Sequence, residues 1–109
     1  MRYRVIVAPA AEADLQAAYR YIRDRAPRAA KEWIREVRSS IRTLARFPER
    51  CPMSPESTLV GMPIRQLFFG RGSRGTYRIL FTVSEKSVNV VHVRHGSMLT
   101  LGAGQRSDD

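Results

Sequence analysis

This sequence of 109 residues contains one cysteine, two lysines and few long apolar runs. The scarcity of cysteine and of apolar runs each excludes a class of protein. Cys51 is the only cysteine, which rules out an internal disulfide or a cysteine cluster around a metal and is typical of a reducing cytosol. No run approaches the roughly 18 apolar residues of a membrane span. The basic N-terminal segment reaches the acidic residues Glu12 and Asp14 too early for a signal peptide, so we interpret it as part of the fold. These features predict a cytoplasmic protein with no membrane contact.

Acidic residues are also in the minority. Nineteen lysines and arginines face ten acidic residues, which gives a formal net charge of +9, and the only lysines are Lys31 and Lys86. A surface so rich in arginine favours a polyanion or an acidic protein as partner. The alternative is that the arginines simply keep the surface solvated.

Hydrophobic periodicity predicts an α+β fold with the element order β-α-α-β-β-β. The predicted strands are residues 2–7, 63–69, 76–83 and 88–94, and the predicted helices are residues 9–25 and 28–46. Pro27 separates the helices by so short a turn that they must form an antiparallel hairpin, with their apolar stripes on one face of a mainly antiparallel sheet. Strands three and four form a hairpin, and the proline-rich residues 48–62 form an irregular connection. We expect residues 1–101 to be one domain and residues 102–109 to be a flexible tail.

Alternation along the strands predicts which side chains are buried. Tyr77 alternates with other apolar residues, and Trp33 lies on the apolar stripe of the second helix, so both are predicted to be core residues. On the fourth strand, Val88, Val90 and His92 should face away from Val91 and Val93.

Motifs for cofactors and metals are missing from the sequence. The glycine-rich residues 70–75 join two strands and open no helix, so they do not form a nucleotide-binding loop. His92 and His95 are three residues apart on a strand, a spacing that directs them to opposite faces. We therefore predict no cofactor and no metal site.

Basic side chains on the last three strands are the strongest candidates for chemistry. Antiparallel pairing of these strands would gather Arg65, Arg78, Arg94 and His95 near one sheet face. Guanidinium groups bind phosphate and stabilise developing charge, and a histidine can transfer a proton near neutral pH. Together they would supply the minimum set of groups for RNA cleavage. The alternative is that structural ion pairs produce the same cluster. The residues predicted for binding are Arg71, Arg74 and Arg94, of which the first two lie in the glycine-rich loop.

An ordered set of short motifs runs through residues 3–98. Its members are Ala13, Asp14 and Leu15; Tyr19 and Ile22; Trp33; Phe47 and Pro48; residues 63–67; residues 77–81; and residues 91–96. With the predicted element order, this set resembles the RelE/ParE superfamily of toxins from type II toxin–antitoxin systems, also called plasmid stabilisation proteins.

The resemblance implies a toxin that arrests growth and is masked by a small cognate antitoxin with an acidic or amphipathic segment. Members of the RelE branch cut mRNA on the ribosome, and members of the ParE branch poison DNA gyrase. By resemblance, Arg78 matches the phosphate-handling arginine of the RNA-cleaving members, and Arg65 matches a frequent basic residue on the second strand. His95 lies near the position of a catalytic histidine, and Glu56 is a candidate for the general-base glutamate of one subgroup.

Two departures from the RelE pattern favour the ParE branch. Residues 47–62 contain no lysine, and residues 96–101 contain no tyrosine, whereas RelE-like members carry a central lysine cluster and a late tyrosine. The long helical hairpin over residues 9–46 also looks ParE-like. We therefore expect inhibition of DNA gyrase. An mRNA endonuclease that uses Arg65, Arg78 and His95, an inactive homologue and a plain nucleic-acid-binding module remain alternatives.

Overall fold

The computed structural model describes residues 2–70 and 76–96, in which two helices pack on a four-stranded sheet. The strands are β1 (Arg4–Val7), β2 (Arg65–Phe69), β3 (Tyr77–Val83) and β4 (Ser87–His95), and the helices are α1 (Pro9–Arg23), α2 (Pro27–Arg42) and α3 (Glu56–Val60). The predicted α+β class and the order β-α-α-β-β-β are confirmed, with the short helix α3 as an addition. The predicted tail, residues 102–109, lies outside the described residues.

The sheet has the strand order β1-β4-β3-β2. β1 runs parallel to β4, while β3 is antiparallel to both β4 and β2. The predicted β3–β4 hairpin is confirmed, and the Ser84 amide donates a hydrogen bond to the Ser87 carbonyl across its turn. β1 and β4 are far apart in sequence, so their parallel pairing closes the fold around both ends of the described chain.

The helical hairpin supplies most of the core. Glu12, near the start of α1, pairs with Arg38, near the end of α2, which shows that the two helices are antiparallel. Leu15 of α1 and Val37 of α2 are fully buried against the sheet, where Phe81 of β3 is also fully buried. Burial of one such side chain contributes about 1.5–3 kcal/mol, so these apolar stripes hold the helices on the sheet.

A β-bulge changes the phase of alternation in β4. Phe81 pairs with Val90, but Leu80 pairs with His92, which leaves Val91 as an extra residue. Val93 therefore joins Val88 and Val90 in the core, and the prediction that it would face away from them is wrong. The physical reason is that one inserted residue moves every later side chain of the strand to the other sheet face, and the local sequence pattern does not reveal the insertion.

Residues 48–62 are more ordered than predicted. They contain a 3₁₀ turn over Pro48–Arg50 and the helix α3, which ends at Gly61 in a left-handed conformation with φ of 73°. A helix of five residues is too short to display the 3.6-residue periodicity on which the prediction rested. Gly61 was the available signal, because glycine commonly terminates a helix in this conformation.

The end of α2 also differs from its predicted boundary at residue 46. The helix ends at Arg42 and tightens into a 3₁₀ turn over Thr43–Ala45. Arg50 lies beyond this turn, and its Nη1 donates to the Arg46 carbonyl at 2.7 Å and to the Phe47 carbonyl at 3.3 Å. Its Nη2 donates to Thr43 Oγ1 at 3.0 Å, so Arg50 holds the segment that follows α2 against the 3₁₀ turn.

Candidate functional site

Arg78 lies in a buried ion pair beneath α3. Its Nη1 donates to Glu56 Oε1 at 2.9 Å and its Nη2 donates to Glu56 Oε2 at 2.6 Å. Arg78 is 5% exposed and Glu56 is fully buried, and Gln66 Oε1 accepts a third hydrogen bond from Nη1 at 3.0 Å. The carboxylate occupies the bidentate face of the guanidinium that would otherwise bind a phosphate. Arg78 therefore holds α3 against the sheet in this state of the protein.

Arg94 is the cross-strand partner of Arg78 on β4. Side chains of directly paired residues share a sheet face, so Arg94 lies on the same face as Arg78. The Arg94 side chain is half-buried, and its Nε is buried without a hydrogen-bond partner among the described residues. The sheet face under α3 is consequently rich in positive charge.

Arg65 lies on the opposite face of the sheet. It pairs with Phe81 of the core, and its Nη1 donates to the Cys51 carbonyl at 2.7 Å and to the Glu49 carbonyl at 3.2 Å. These bonds, together with an isolated bridge between Arg65 and Met53, fasten the connection after α2 to the edge strand β2. The observed partners of this guanidinium are thus backbone carbonyls.

His95 also lies on the hairpin side, at the other end of the sheet. It pairs with Tyr77, and the two rings meet edge to face with centroids 5.2 Å apart. The Tyr77 ring in turn contacts Trp33 of α2 at 5.2 Å, which confirms both as core residues. Phe81 is four positions beyond Tyr77 along β3, so His95 and Arg65 are roughly 13 Å apart along the strand direction.

The expected gathering on one face thus applies only to Arg78 and Arg94. The expectation is wrong for Arg65 and His95, because pairing with Phe81 and Tyr77 assigns both to the face that the helical hairpin covers. The binding residues Arg71 and Arg74 lie outside the described residues. The chemical roles assigned to all of these residues stay predictions.

Asp14 is a polar contact that the sequence reasoning did not identify. Its Oδ2 accepts a hydrogen bond from the Val93 amide at 2.9 Å and lies 3.0 Å from Nδ1 of His92. β1 pairs with β4 only as far as Val90, so α1, which follows β1 directly, lies beside the remaining edge of β4. The sequence did contain a signal for this contact: Asp14 lies about one turn into a helix that directly follows an edge strand.

Two ionisable groups near these contacts have perturbed pKa values. Hydrogen bonds from Arg38 and Gln16 lower the pKa of Glu12 below its ordinary value, and burial opposes them. Burial raises the pKa of the Cys51 thiol, although the positive charges of Arg50 and Arg65 oppose the shift. A buried thiol with a raised pKa is a poor nucleophile, which agrees with the packing of Cys51 in the core.

Within residues 2–70 and 76–96, histidine, cysteine and acidic side chains form no group of three or more that can hold a metal ion. None of the helices in these ranges is long and apolar enough to cross a membrane.

Comparisons with known proteins define the class. The family model described as the ParE toxin of the type II toxin–antitoxin system parDE matches residues 5–100. The chain therefore belongs to the ParE family of toxins, which confirms the resemblance and its ParE-like branch. A solved structure entitled "Chromosomal ParDE TA system from P. aeruginosa" contains a similar chain with a TM-score of 0.66 and 16% identity, covering 86% of this chain and 96% of that chain. At that identity the likeness shows the fold alone. Curated protein sequences give no match.

Proposed function

We propose that this toxin arrests growth by inhibiting DNA gyrase in the cytoplasm and that a cognate antitoxin neutralises it. The observation that carries the choice of target is the buried pair between Arg78 and Glu56. An RNA-cleaving site needs an arginine that is accessible to phosphate and close to a proton-transfer group. Here the arginine expected to bind phosphate is 5% exposed and holds a carboxylate, and His95 lies across the sheet from it.

Inhibition by binding requires no such assembled centre. A ParE-like toxin without a nuclease site would act by occupying a surface of its target, and the membership in the ParE family supports gyrase as that target. The net charge of +9 gives long-range attraction to an acidic protein surface or to DNA held by an enzyme. The positions proposed to bind the target or the antitoxin are Arg71, Arg74 and Arg94.

Exposed apolar residues supply the second part of an antitoxin contact. Among the residues that the structure describes, five of the eight exposed large apolar side chains fall within residues 53–68, and they are Met53, Leu59, Val60, Met62 and Phe68. We call this set the α3 apolar patch. Apolar side chains this concentrated are typical of a surface that a partner covers. An amphipathic antitoxin segment would cover the patch with apolar groups and would present carboxylates to the arginines proposed for binding.

Inducible expression separates the two targets. After induction, we expect growth to stop, gyrase-bound DNA breaks to accumulate and purified gyrase to lose supercoiling activity. Primer extension on ribosome-bound mRNA should give no codon-aligned cuts. Cuts at codon positions with unimpaired gyrase would refute the gyrase proposal and restore the mRNA endonuclease. Growth without arrest would show an inactive toxin.

Antitoxin neutralisation has its own test. Purified antitoxin should bind the toxin more weakly as salt rises, because charge pairing between exposed groups is screened. Leu59→Gln, in the α3 apolar patch, should weaken binding, whereas Tyr21→Gln should not. The two positions are 52% and 59% exposed, so Tyr21 on α1 is a matched control. Equal weakening by both substitutions, or affinity independent of salt, would contradict this arrangement.

A further inference from the structure

The C-terminal end of α2 opens into a cavity whose charged lining is entirely positive. Arg2, Arg42, Arg46 and Arg50 line this open cavity of about 560 Å³ together with Phe47, and no carboxylate belongs to its described lining. We call it the α2 cavity. It lies on the hairpin side of the fold, away from the pair of Arg78 and Glu56. Four guanidinium groups around one concave surface repel one another unless an anion or solvent screens them.

Only one of these arginines has a structural function in the described part of the chain. Arg50 donates to the backbone carbonyls of Arg46 and Phe47, in the segment that follows α2 and its 3₁₀ turn. The guanidinium groups of Arg2, Arg42 and Arg46 make no hydrogen bond or ion pair with the residues in the described ranges. Cations near a helix C-terminus interact favourably with the helix dipole, but that attraction does not occupy the hydrogen-bond donors of Arg42 and Arg46. Three arginines are therefore available to a ligand.

Phe47 adds an aromatic surface to this charge. Its side chain is 74% exposed, and its backbone has φ of 48° and ψ of 54°, the one positive φ of a non-glycine residue in the described ranges. Pro48 disfavours the right-handed helical conformation at residue 47, and the chain turns by adopting the left-handed one. That conformation is costly for a residue with a Cβ atom, and glycine or asparagine adopts it more easily. A phenylalanine that is both strained and exposed contributes little to folding, so its ring is explained better by a ligand.

We propose that the α2 cavity binds single-stranded nucleic acid. Arg2, Arg42 and Arg46 hold phosphates of the backbone, and an unpaired base stacks on the ring of Phe47. Stacking on aromatic side chains beside a positive groove is the general way in which proteins hold single strands without sequence preference. A paired base in a duplex has both faces covered and offers no surface to the ring. An acidic peptide would pair its carboxylates with the arginines, but its side chains have no planar ring that could stack on Phe47. This site shares no residue with the positions proposed above for the gyrase and antitoxin contacts, and it goes beyond the proposed function.

Fluorescence anisotropy with a labelled oligothymidine of about twelve nucleotides tests the site on the purified full chain. Phe47→Ala should weaken binding about tenfold, because one stacked base is lost. Arg42→Gln and Arg46→Gln should each weaken binding and reduce the slope of log affinity against log salt by about 0.7, the contribution of one phosphate contact to a single strand. A duplex of equal length should bind more weakly than the single strand.

Arg28→Gln is the matched control. Arg28 is an exposed arginine at the other end of the same helix, roughly 21 Å from Arg42, and its loss changes the net charge equally. An equal change of slope in Arg28→Gln would show that only overall charge attracts the oligonucleotide, and unchanged binding by Phe47→Ala would show that no base stacks. Either result overturns the proposal. Competition by oligoglutamate as effective as unlabelled oligothymidine of the same charge would assign the cavity to an acidic protein segment instead.

Phe47→Gly separates binding from folding. Glycine relieves the left-handed conformation, so the melting temperature should rise while oligonucleotide binding falls as in Phe47→Ala. A variant that is more stable and still binds at full affinity would refute the function assigned to the ring. Gyrase supercoiling measured on the same variants reports on the proposed target separately.

Discussion

Replacing Arg78 by methionine should be the most destabilising change in the sheet. The substitution keeps much of the side-chain volume but removes the guanidinium that holds both oxygens of Glu56 at 2.6 and 2.9 Å. Glu56 is fully buried, so its carboxylate would lose this paired guanidinium in a medium of low dielectric. Breaking a buried ion pair in this way costs about 3–5 kcal/mol. That is a large share of the roughly 5–15 kcal/mol that stabilises a domain of this size.

A double-mutant cycle makes the prediction specific. Urea unfolding of Arg78→Met and Glu56→Leu should show a large loss for each single variant, and thermal unfolding should show a decrease of roughly 12–20 °C. The double variant should lose much less than the sum, because an apolar pair of similar volume needs no compensation for buried charge. Single variants that lose under about 1 kcal/mol, or strictly additive losses, would refute the buried pair as described. The result also matters for function, since loss of activity in an Arg78 variant would reflect unfolding unless stability is measured alongside.

Three further predictions concern single contacts. Gly96→Ala should destabilise the protein by about 1–3 kcal/mol in urea unfolding, because a Cβ atom there would lie 2.7 Å from the Thr76 carbonyl oxygen; a neutral effect would show that the end of β4 adjusts freely. The pair of Glu12 and Arg38 lowers the pKa of Glu12 from its ordinary value of 4.5, so its stabilisation is complete above that pH and is lost as the pH falls through the lowered pKa. Arg38→Gln should therefore cost under about 1 kcal/mol at neutral pH and nothing in strong acid, and a pH-independent loss would point to packing. Cys51 should react with iodoacetamide at neutral pH only as fast as the protein unfolds, since burial shields the thiol and raises its pKa, and rapid labelling of the native protein would contradict this placement.

Local patterns in the sequence account for most of the architecture. Helical periodicity and prolines at residues 9 and 27 defined the hairpin, and alternation defined β3 and β4, because both periods are set by backbone geometry within a short window. Composition was equally informative, since a single cysteine excludes an internal disulfide without any knowledge of the fold. The ordered motifs then indicated the toxin family, which the family model confirms.

Tertiary structure decided where the functional candidates lie. The bulge at Val91 reverses the alternation of β4, and its position depends on the pairing with β3. Glu56 and Arg78 are 22 residues apart and meet only because α3 crosses the sheet face that the hairpin leaves open. Arg65 and His95 are separated from Arg78 by the register of the strands.

The physical reason is that the periodicity of a segment is a local property, whereas the contact partner of a side chain depends on the tertiary structure. The sequence determined which segments are helices or strands, since that choice is made by each segment's own side chains. The partner of a charged side chain depends on elements distant in the chain, and for Arg78 that partner is a buried carboxylate. Family membership therefore followed from the sequence, and to the missing lysine and tyrosine the fold added the burial of Arg78 against Glu56 as an argument against an RNA-cleaving site.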